Sequence, residues 1–301
     1  QGRIGLVREA LAERATLLKN APHLVHPQRF VVPVYNQWDR LVLGLGLTAY
    51  DWLAGARSLG ASRLLSPADT LAALPGLCHD GLVGGIAYMD ARFDDARLAV
   101  TLMRSVFDHG GLALNYLPVS ALTHTNGKVT GVAAQDSETG ESFAIEARVV
   151  INAAGVWADD IRRLDTTTAP GQLAPSQGAH LVIDRDFLPG NAALLIPKTS
   201  DGRVLFIIPW QGKVLLGTTD TPRHETPLEP RPLASEIDFI LDTAARYLSR
   251  PPGRADVRSA FAGLRPLINA SQGGATSALS REHVIQVSGS GLVSVAGGKW
   301  T

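Results

Sequence analysis

Arg148-Val149-Val150-Ile151-Asn152-Ala153-Ala154-Gly155-Val156-Trp157 carries the reading of the fold. An apolar, β-branched run breaks off into three small residues, and residues 158–164 then have a helix-like pattern. This is how a buried parallel strand delivers its end to a cofactor. Ala153, Ala154 and Gly155 have no bulk beyond Cβ, so a phosphate or a flavin edge could approach the backbone closely there. An ordinary strand-to-helix turn has the same pattern, so the flanking sequence has to decide between the two.

The chain has 301 residues, 45% of them hydrophobic and 19% charged, enough to bury a substantial core in one large or two interleaved domains. Lys+Arg and Asp+Glu both number 28, and no basic run gives an electrostatic reason to expect nucleic acid. The single cysteine, Cys78, excludes an intrachain disulfide and a cysteine-based metal centre, and it suits a reducing, cytoplasmic compartment. The uncharged stretch 41–50 is too short to span a bilayer, which leaves open peripheral contact on the inner face of the cytoplasmic membrane, as well as a homodimer. The chain begins at Gln1 and stops just after a glycine pair, which reads as an internal piece of something longer.

Residues 5–20 carry apolar positions at helical spacing, 29–35 read as a short strand and 39–56 as an apolar helix. His23 and His26 flank the first turn without a nearby carboxylate, so no metal site is expected. Pro67-Ala-Asp-Thr-Leu starts a helix, 84–90 read as a strand and 95–109 as a helix stopped by Gly110-Gly111. Short strands over 113–122, 129–135 and 142–147 follow, joined by turns at Asn126-Gly127 and Thr139-Gly140. Strands at 179–183, 192–196, 204–210 and 213–217 describe an antiparallel sheet, and Gly217-Thr-Thr-Asp-Thr-Pro222 ends it with groups suited to capping or to facing a ligand. Beyond it lie an N-capped amphipathic helix over 235–248, a strand over 257–264 that runs into Arg265-Pro266, and strands at 283–288 and 292–296.

Several of these segments carry a resemblance. Gly178-Ala-His180, the run from Phe206 to Pro222, Ala262-Gly-Leu-Arg-Pro-Leu267, Ser280-Arg-Glu-His283 and Ala296-Gly-Gly-Lys-Trp-Thr301 occur in the order seen in FAD-dependent glycerol-3-phosphate dehydrogenases, and the stretches 14–27 and 90–97 resemble the same family. The resemblance implies a mixed α/β fold of the amino-acid-oxidase type, in which a partial FAD-binding doubly wound domain is interleaved with an antiparallel-sheet substrate domain. Residues 1–80 would form a helical segment of the FAD and substrate region, 81–165 part of the FAD-binding domain with a small β-meander, 166–260 the substrate domain and 261–301 the return to the FAD-binding domain. The implied reaction oxidises sn-glycerol 3-phosphate to dihydroxyacetone phosphate and passes electrons from flavin to a quinone or another acceptor. The family's Gly-x-Gly-x-x-Gly turn and its carboxy-terminal cap have no counterpart in these residues. Amine or amino-acid oxidation on the same fold, and an inactive flavin-free remnant, stay as alternatives.

Site residues follow in the same terms. Arg265 is a permanently charged planar fork suited to a phosphate or a developing alkoxide, hence electrostatic stabilisation rather than base catalysis. His180 is the candidate base, a residue that titrates near neutrality unless its surroundings move it. Arg281 and Lys299 are further phosphate ligands, and Lys299 also faces the flavin. By resemblance Val119 lies against the adenine, Ala153 and Gly155 against the nucleotide phosphates or flavin, and Gly297, Gly298 and Thr301 near the flavin ring. Trp157, Trp210 and Trp300 read as core residues.

Overall fold

The structure is a computed structural model that describes residues 4–55, 58–268 and 283–298. Helix α1 (Ile4–Asn20) leads into β1 (Val25–Val34), α2 (Gln37–Ala54), β2 (Arg63–Leu65), α3 (Pro67–Ala73), β3 (Gly84–Phe93) and α4 (Asp95–Asp108). Next come β4 (Val119–Thr125), β5 (Lys128–Gln135), β6 (Ser142–Glu146), β7 (Ile151–Asn152) and α5 (Ala158–Asp165). The second half holds β8 (Leu173–Asp184), β9 (Ala193–Ile196), β10 (Leu205–Trp210), β11 (Lys213–Gly217), β12 (Thr221–Pro222), α6 (Ala234–Ala245), β13 (Ser259–Ile268), β14 (His283–Val287) and β15 (Val293–Gly297).

Local chemistry explains many of the boundaries. Ser66 caps α3, its Oγ accepting the Asp69 N–H at 3.1 Å, and Pro67 follows at the first helical position, where no N–H is needed. Asn126 and Gly127 both have positive φ, the condition for a tight turn matched to strand twist, and join β4 to β5. The cap of α6 comes instead from inside the helix: Glu236 reaches back to accept the Leu233 N–H at 2.9 Å. Strand β1 begins four residues before its expected start because β3 offers an antiparallel partner along its whole length, from Val25↔Phe93 to Val34↔Gly84.

Nine strands form one mixed sheet in the order β12-β8-β11-β10-β9-β1-β3-β2, with β13 also paired to β8. The sheet therefore takes strands from both halves of the chain, across the divisions expected at residues 80 and 165. One face packs on α3 and α6 around Leu74, Leu181, Ile183, Leu194, Ile196, Leu205, Ile207, Leu216 and Ile240, all without exposure. At about 25 cal/mol per Å² of apolar surface withdrawn from water, this cluster is the main source of stability.

Two three-stranded sheets complete the fold, β4-β5-β6 and β14-β15-β7. Strand β7 runs parallel to β15, with Ile151 opposite Val293 and Asn152 opposite Ser294. The expectation of a buried strand fails here. Val149 is 58% and Ile151 63% exposed, because β7 is an edge strand whose apolar side chains meet no further layer among the described residues. Likewise β4 starts at Val119 rather than at residue 113, and Leu112, Leu114 and Tyr116 lie exposed in the irregular segment before it.

Candidate functional site

Strand β8 is the floor of the candidate site. In an antiparallel ladder, directly opposed residues project to the same face, and alternate residues share a face. The β8–β13 register sets Ser176 opposite Arg265, Gly178 opposite Gly263 and His180 opposite Phe261, while β11 sets Gly217 opposite His180. All seven residues therefore lie on one face. Two glycines leave bare backbone between an arginine and a histidine, and a third glycine lies beneath the histidine ring.

These glycines are required by close approach. A Cβ on Gly178 would stand 2.6 Å from both Arg265 Cζ and Thr218 Oγ1, and one on Gly217 would stand 2.8 Å from His180 Nε2. The guanidinium thus lies flat across Gly178 and the imidazole across Gly217. Arg265 is held by two oxygens of the turn after β11: Nη2 donates to Thr218 Oγ1 at 2.9 Å and Nη1 to the Thr219 carbonyl at 3.1 Å. Its Nη1 is 3.9 Å from Asp220 Oδ1, an oxygen that also accepts from Ser176 Oγ. One third of the Arg265 side chain remains exposed.

His180 stacks on Phe261 with ring centroids 5.2 Å apart and planes inclined by 14°. Burial first, and the Arg265 charge second, lower its pKa from 6.5 to about 4, while Asp95 acts weakly in the opposite sense. It is therefore neutral at physiological pH and does not titrate near neutrality as expected from its type. Arg265, expected at a strand end, lies inside β13, which continues to Ile268. Pro266 is tolerated there because among the described residues β13 pairs only with β8, and an edge strand can do without one ladder N–H.

A second group of residues lies close by. Beyond β7 come Ala153, Ala154 and Gly155; beyond Ser294 on the adjacent parallel strand come Val295, Ala296 and Gly297. Buried Asn152 fixes the first bend, its Nδ2 donating to the Ala158 carbonyl at 2.9 Å and to Ser294 Oγ at 3.2 Å, and its Oδ1 accepting the Ala154 N–H at 3.2 Å. Gly155, Gly297 and Gly298 have φ of 59°, 75° and 82°. A Cβ on Gly155 would enter open space, and one on Gly298 would meet only His283 Cβ at 3.5 Å. The single-turn 3-10 segment Gly155–Trp157 lies against β13, and Ile268 packs with Ala158 and Ala296. Ile268 lies three positions along the strand from Arg265, about 10 Å.

The structure thus brings His180 and Arg265 together, brings Ala153, Gly155, Gly297 and Gly298 together, and connects the two groups through β13. Val119 stands apart in the β4-β5-β6 sheet. Arg281, Lys299 and Thr301 lie outside the described residues. Thr218, Thr219 and Glu236 were missed as site builders. The signal for the two threonines was the polar run 218–221; in the structure Thr218 accepts from Arg265, and Thr219 and Thr221 donate to the Glu236 side chain in the first turn of α6 instead of capping a helix. Two clefts elsewhere, one beside Arg29 and Arg63 and one beside Arg162 and Ser288, contain none of the expected site residues.

Bare, positive-φ bends at two adjacent parallel strand ends fit a flat, backbone-hugging group such as flavin, since a Cβ there would occupy the approach. The chain belongs to the FAD-dependent oxidoreductase family, whose model matches residues 2–301. Among its relatives, the mitochondrial glycerol-3-phosphate dehydrogenase of Schizosaccharomyces pombe is 38% identical over all of this chain and 49% of its own length. The corresponding Homo sapiens protein is 39% identical over 98% of this chain and 42% of its own. The structure of glycerol-3-phosphate dehydrogenase from Bacillus halodurans complexed with FAD superposes with a TM-score of 0.80 at 34% identity, over 98% of this chain and 52% of that one. The chain spans about half the length of these relatives.

Proposed function

We propose that this chain forms the substrate side, and part of the cofactor side, of an FAD-dependent glycerol-3-phosphate dehydrogenase that converts sn-glycerol 3-phosphate to dihydroxyacetone phosphate. The observation that carries this reading is the partly exposed Arg265 guanidinium beside a neutral histidine on a glycine floor, within a strand whose last residue, Ile268, packs beside the paired bends. Bound FAD would be held by Ala153, Gly155, Gly297 and Gly298 and would accept the hydride from C2 of the substrate. Val119 toward the adenine, and Arg281, Lys299 and Thr301 toward the phosphates and flavin, are assigned by resemblance.

The chain's own residues account for the other half of the chemistry. Arg265 offers a guanidinium that is one-third exposed to an anionic oxygen, a role matched to its rigid fork and permanent charge. His180 is neutral and accepts the hydroxyl proton as the hydride leaves. The same Arg265 charge that depresses the histidine's proton affinity is offset once a phosphate or alkoxide arrives, so substrate binding strengthens the base. In this reading the electrons pass onward to a quinone, the full protein makes peripheral membrane contact, and a homodimer is the assembly to test. No helix among the described residues is long and apolar enough to cross a membrane.

The test is flavin absorbance and its bleaching. The chain as given is expected to purify with little flavin, and fusion to the preceding segment of a relative should restore the yellow colour. Glycerol 3-phosphate should then bleach it, while glycerol and glycine should not. Bleaching by glycine would establish the amino-acid oxidase alternative, and a colourless restored protein would remove the assignment.

A further inference from the structure

Glu236, which is 3% exposed, has no place in the chemistry described so far. It stands on the far side of the sheet from Arg265, where α6 packs under β8. Four donors converge on its carboxylate. Thr219 Oγ1 and Thr221 Oγ1 donate to Oε1 at 2.9 and 2.7 Å, and Gln177 Nε2 and the Leu233 N–H donate to Oε2 at 2.7 and 2.9 Å. Burial opposes the charge, yet these four bonds outweigh it and hold the carboxyl below its ordinary range. Thr219 Oγ1 also accepts the Ala179 N–H at 2.8 Å, which ties the turn to the middle of β8.

The same turn supports the Arg265 fork through Thr218 Oγ1 and the Thr219 carbonyl. Its far end is held as well, because Arg203 Nη1 donates to the Asp220 carbonyl. The turn is therefore fixed at several points, and the carboxylate holds two of its threonines from within the buried face of the sheet. Resting on the functional reading above, we propose that Glu236 is a positioning residue: it locks the Gly217–Thr221 turn from the opposite face of the sheet so that Thr218 and Thr219 aim the Arg265 fork at the substrate's anionic group.

The chemistry of the four donors makes the role specific to a carboxylate. An amide in its place has one acceptor oxygen and one donor nitrogen: turned one way it leaves the Gln177 and Leu233 donors facing N–H groups, and turned the other it donates to the threonine hydroxyls but takes away the acceptor for their own hydrogens. Either arrangement loses bonds that the carboxylate gives the turn. A shift at Thr219 is passed through its carbonyl to a guanidinium packed closely over Gly178.

The experiment is a double-mutant cycle in the full-length flavoprotein, read as the rate of anaerobic flavin bleaching by glycerol 3-phosphate over a range of concentrations. Glu236→Gln should lower the bleaching rate at limiting substrate about tenfold and leave the oxidised flavin spectrum unchanged. In an Arg265→Gln background the same substitution should change the rate less than twofold, because the group it positions is gone. Thr219→Ser, which keeps the relay hydroxyl, should behave as wild type, and Thr219→Val should reproduce Glu236→Gln, including the loss of effect in the Arg265→Gln background. The threonine pair decides the question if Glu236→Gln does not fold. An equal loss in both backgrounds means a general structural role and overturns the inference, as does no loss in either. A normal rate in Arg265→Gln alone overturns the functional reading itself, a distinct result.

Discussion

The nine-stranded sheet and the β14-β15-β7 sheet use similar β-branched and aliphatic residues and end in opposite states. In the first, Leu181, Ile183, Leu205 and Leu216 are wholly enclosed by α3, α6 and their own neighbours. In the second, Ile151, Ile285 and Val287 are 63%, 61% and 67% exposed on strands whose composition suits burial. One sheet closes its core with local partners. The other presents an apolar surface and an unpaired edge, which are normally covered in a folded protein. The candidate site follows the same division: the Arg265 and His180 side is built and braced, whereas the cofactor side consists of two bends and lacks a surrounding wall among the described residues.

The largest expected effect bears on the braced side. Arg265→Ala should lower kcat/KM for glycerol 3-phosphate by about 100-fold or more while flavin stays bound, as for removal of a charge-stabilising donor from a water-poor site. Steady-state kinetics beside the flavin spectrum check it, and an intact rate would separate the sheet from the chemistry. Gly178→Ala comes next. A methyl group placed 2.6 Å from Arg265 Cζ must displace the fork, with an expected loss of about tenfold to 100-fold in rate and about 1–3 kcal/mol in stability from overpacking, read by the same assay and by denaturant unfolding.

The open side should respond in the opposite way. Ile151→Asp in this chain should change the unfolding free energy by less than about 0.5 kcal/mol, because its side chain is already in water, and should reduce self-association measured by light scattering. The same substitution in the full-length protein should lower flavin occupancy. A large destabilisation of the isolated chain would show that the two sheets are less different than their exposure indicates.

A further expected effect, dependent on pH, concerns His180. Its folded pKa of about 4 lies below the ordinary 6.5, so the unfolded chain binds the proton first on acidification. The folded state is favoured in full above about pH 6.5, and this contribution is lost as pH falls toward 4. Unfolding midpoints across that window should decline less in His180→Gln than in the wild type. Equal slopes would mean that other groups carry the acid sensitivity.

Residues acting on near neighbours made much of the fold legible. The Pro67-Ala-Asp-Thr-Leu start, Asn126 with Gly127, and the helical spacing before Asn20 act within a few positions of themselves, and elements stand where those signals lie. The bends at Gly155 and Gly297 were visible for the same reason, since small residues after an apolar run mark a close backbone approach wherever they fall. The site's bracing was not visible. Glu236 is separated from the turn it holds by the Pro-rich 227–232 connection, and nothing in its immediate neighbours distinguishes it from a helix-surface glutamate.

By itself, then, the sequence determined the elements, the glycine positions and the residue types able to do the chemistry, because propensity, turn geometry and charge are local properties. Tertiary structure alone decided that Arg265 lies within a strand, since a twelve-residue β8 was there to pair with it. It decided that His180 is neutral, since burial over Gly217 and against Phe261, with the Arg265 charge nearby, comes from strands distant along the chain. It also decided that β7 is an open edge rather than a buried strand. Burial, proton affinity and pairing depend on what lies across the sheet, and that is set only when the chain has folded.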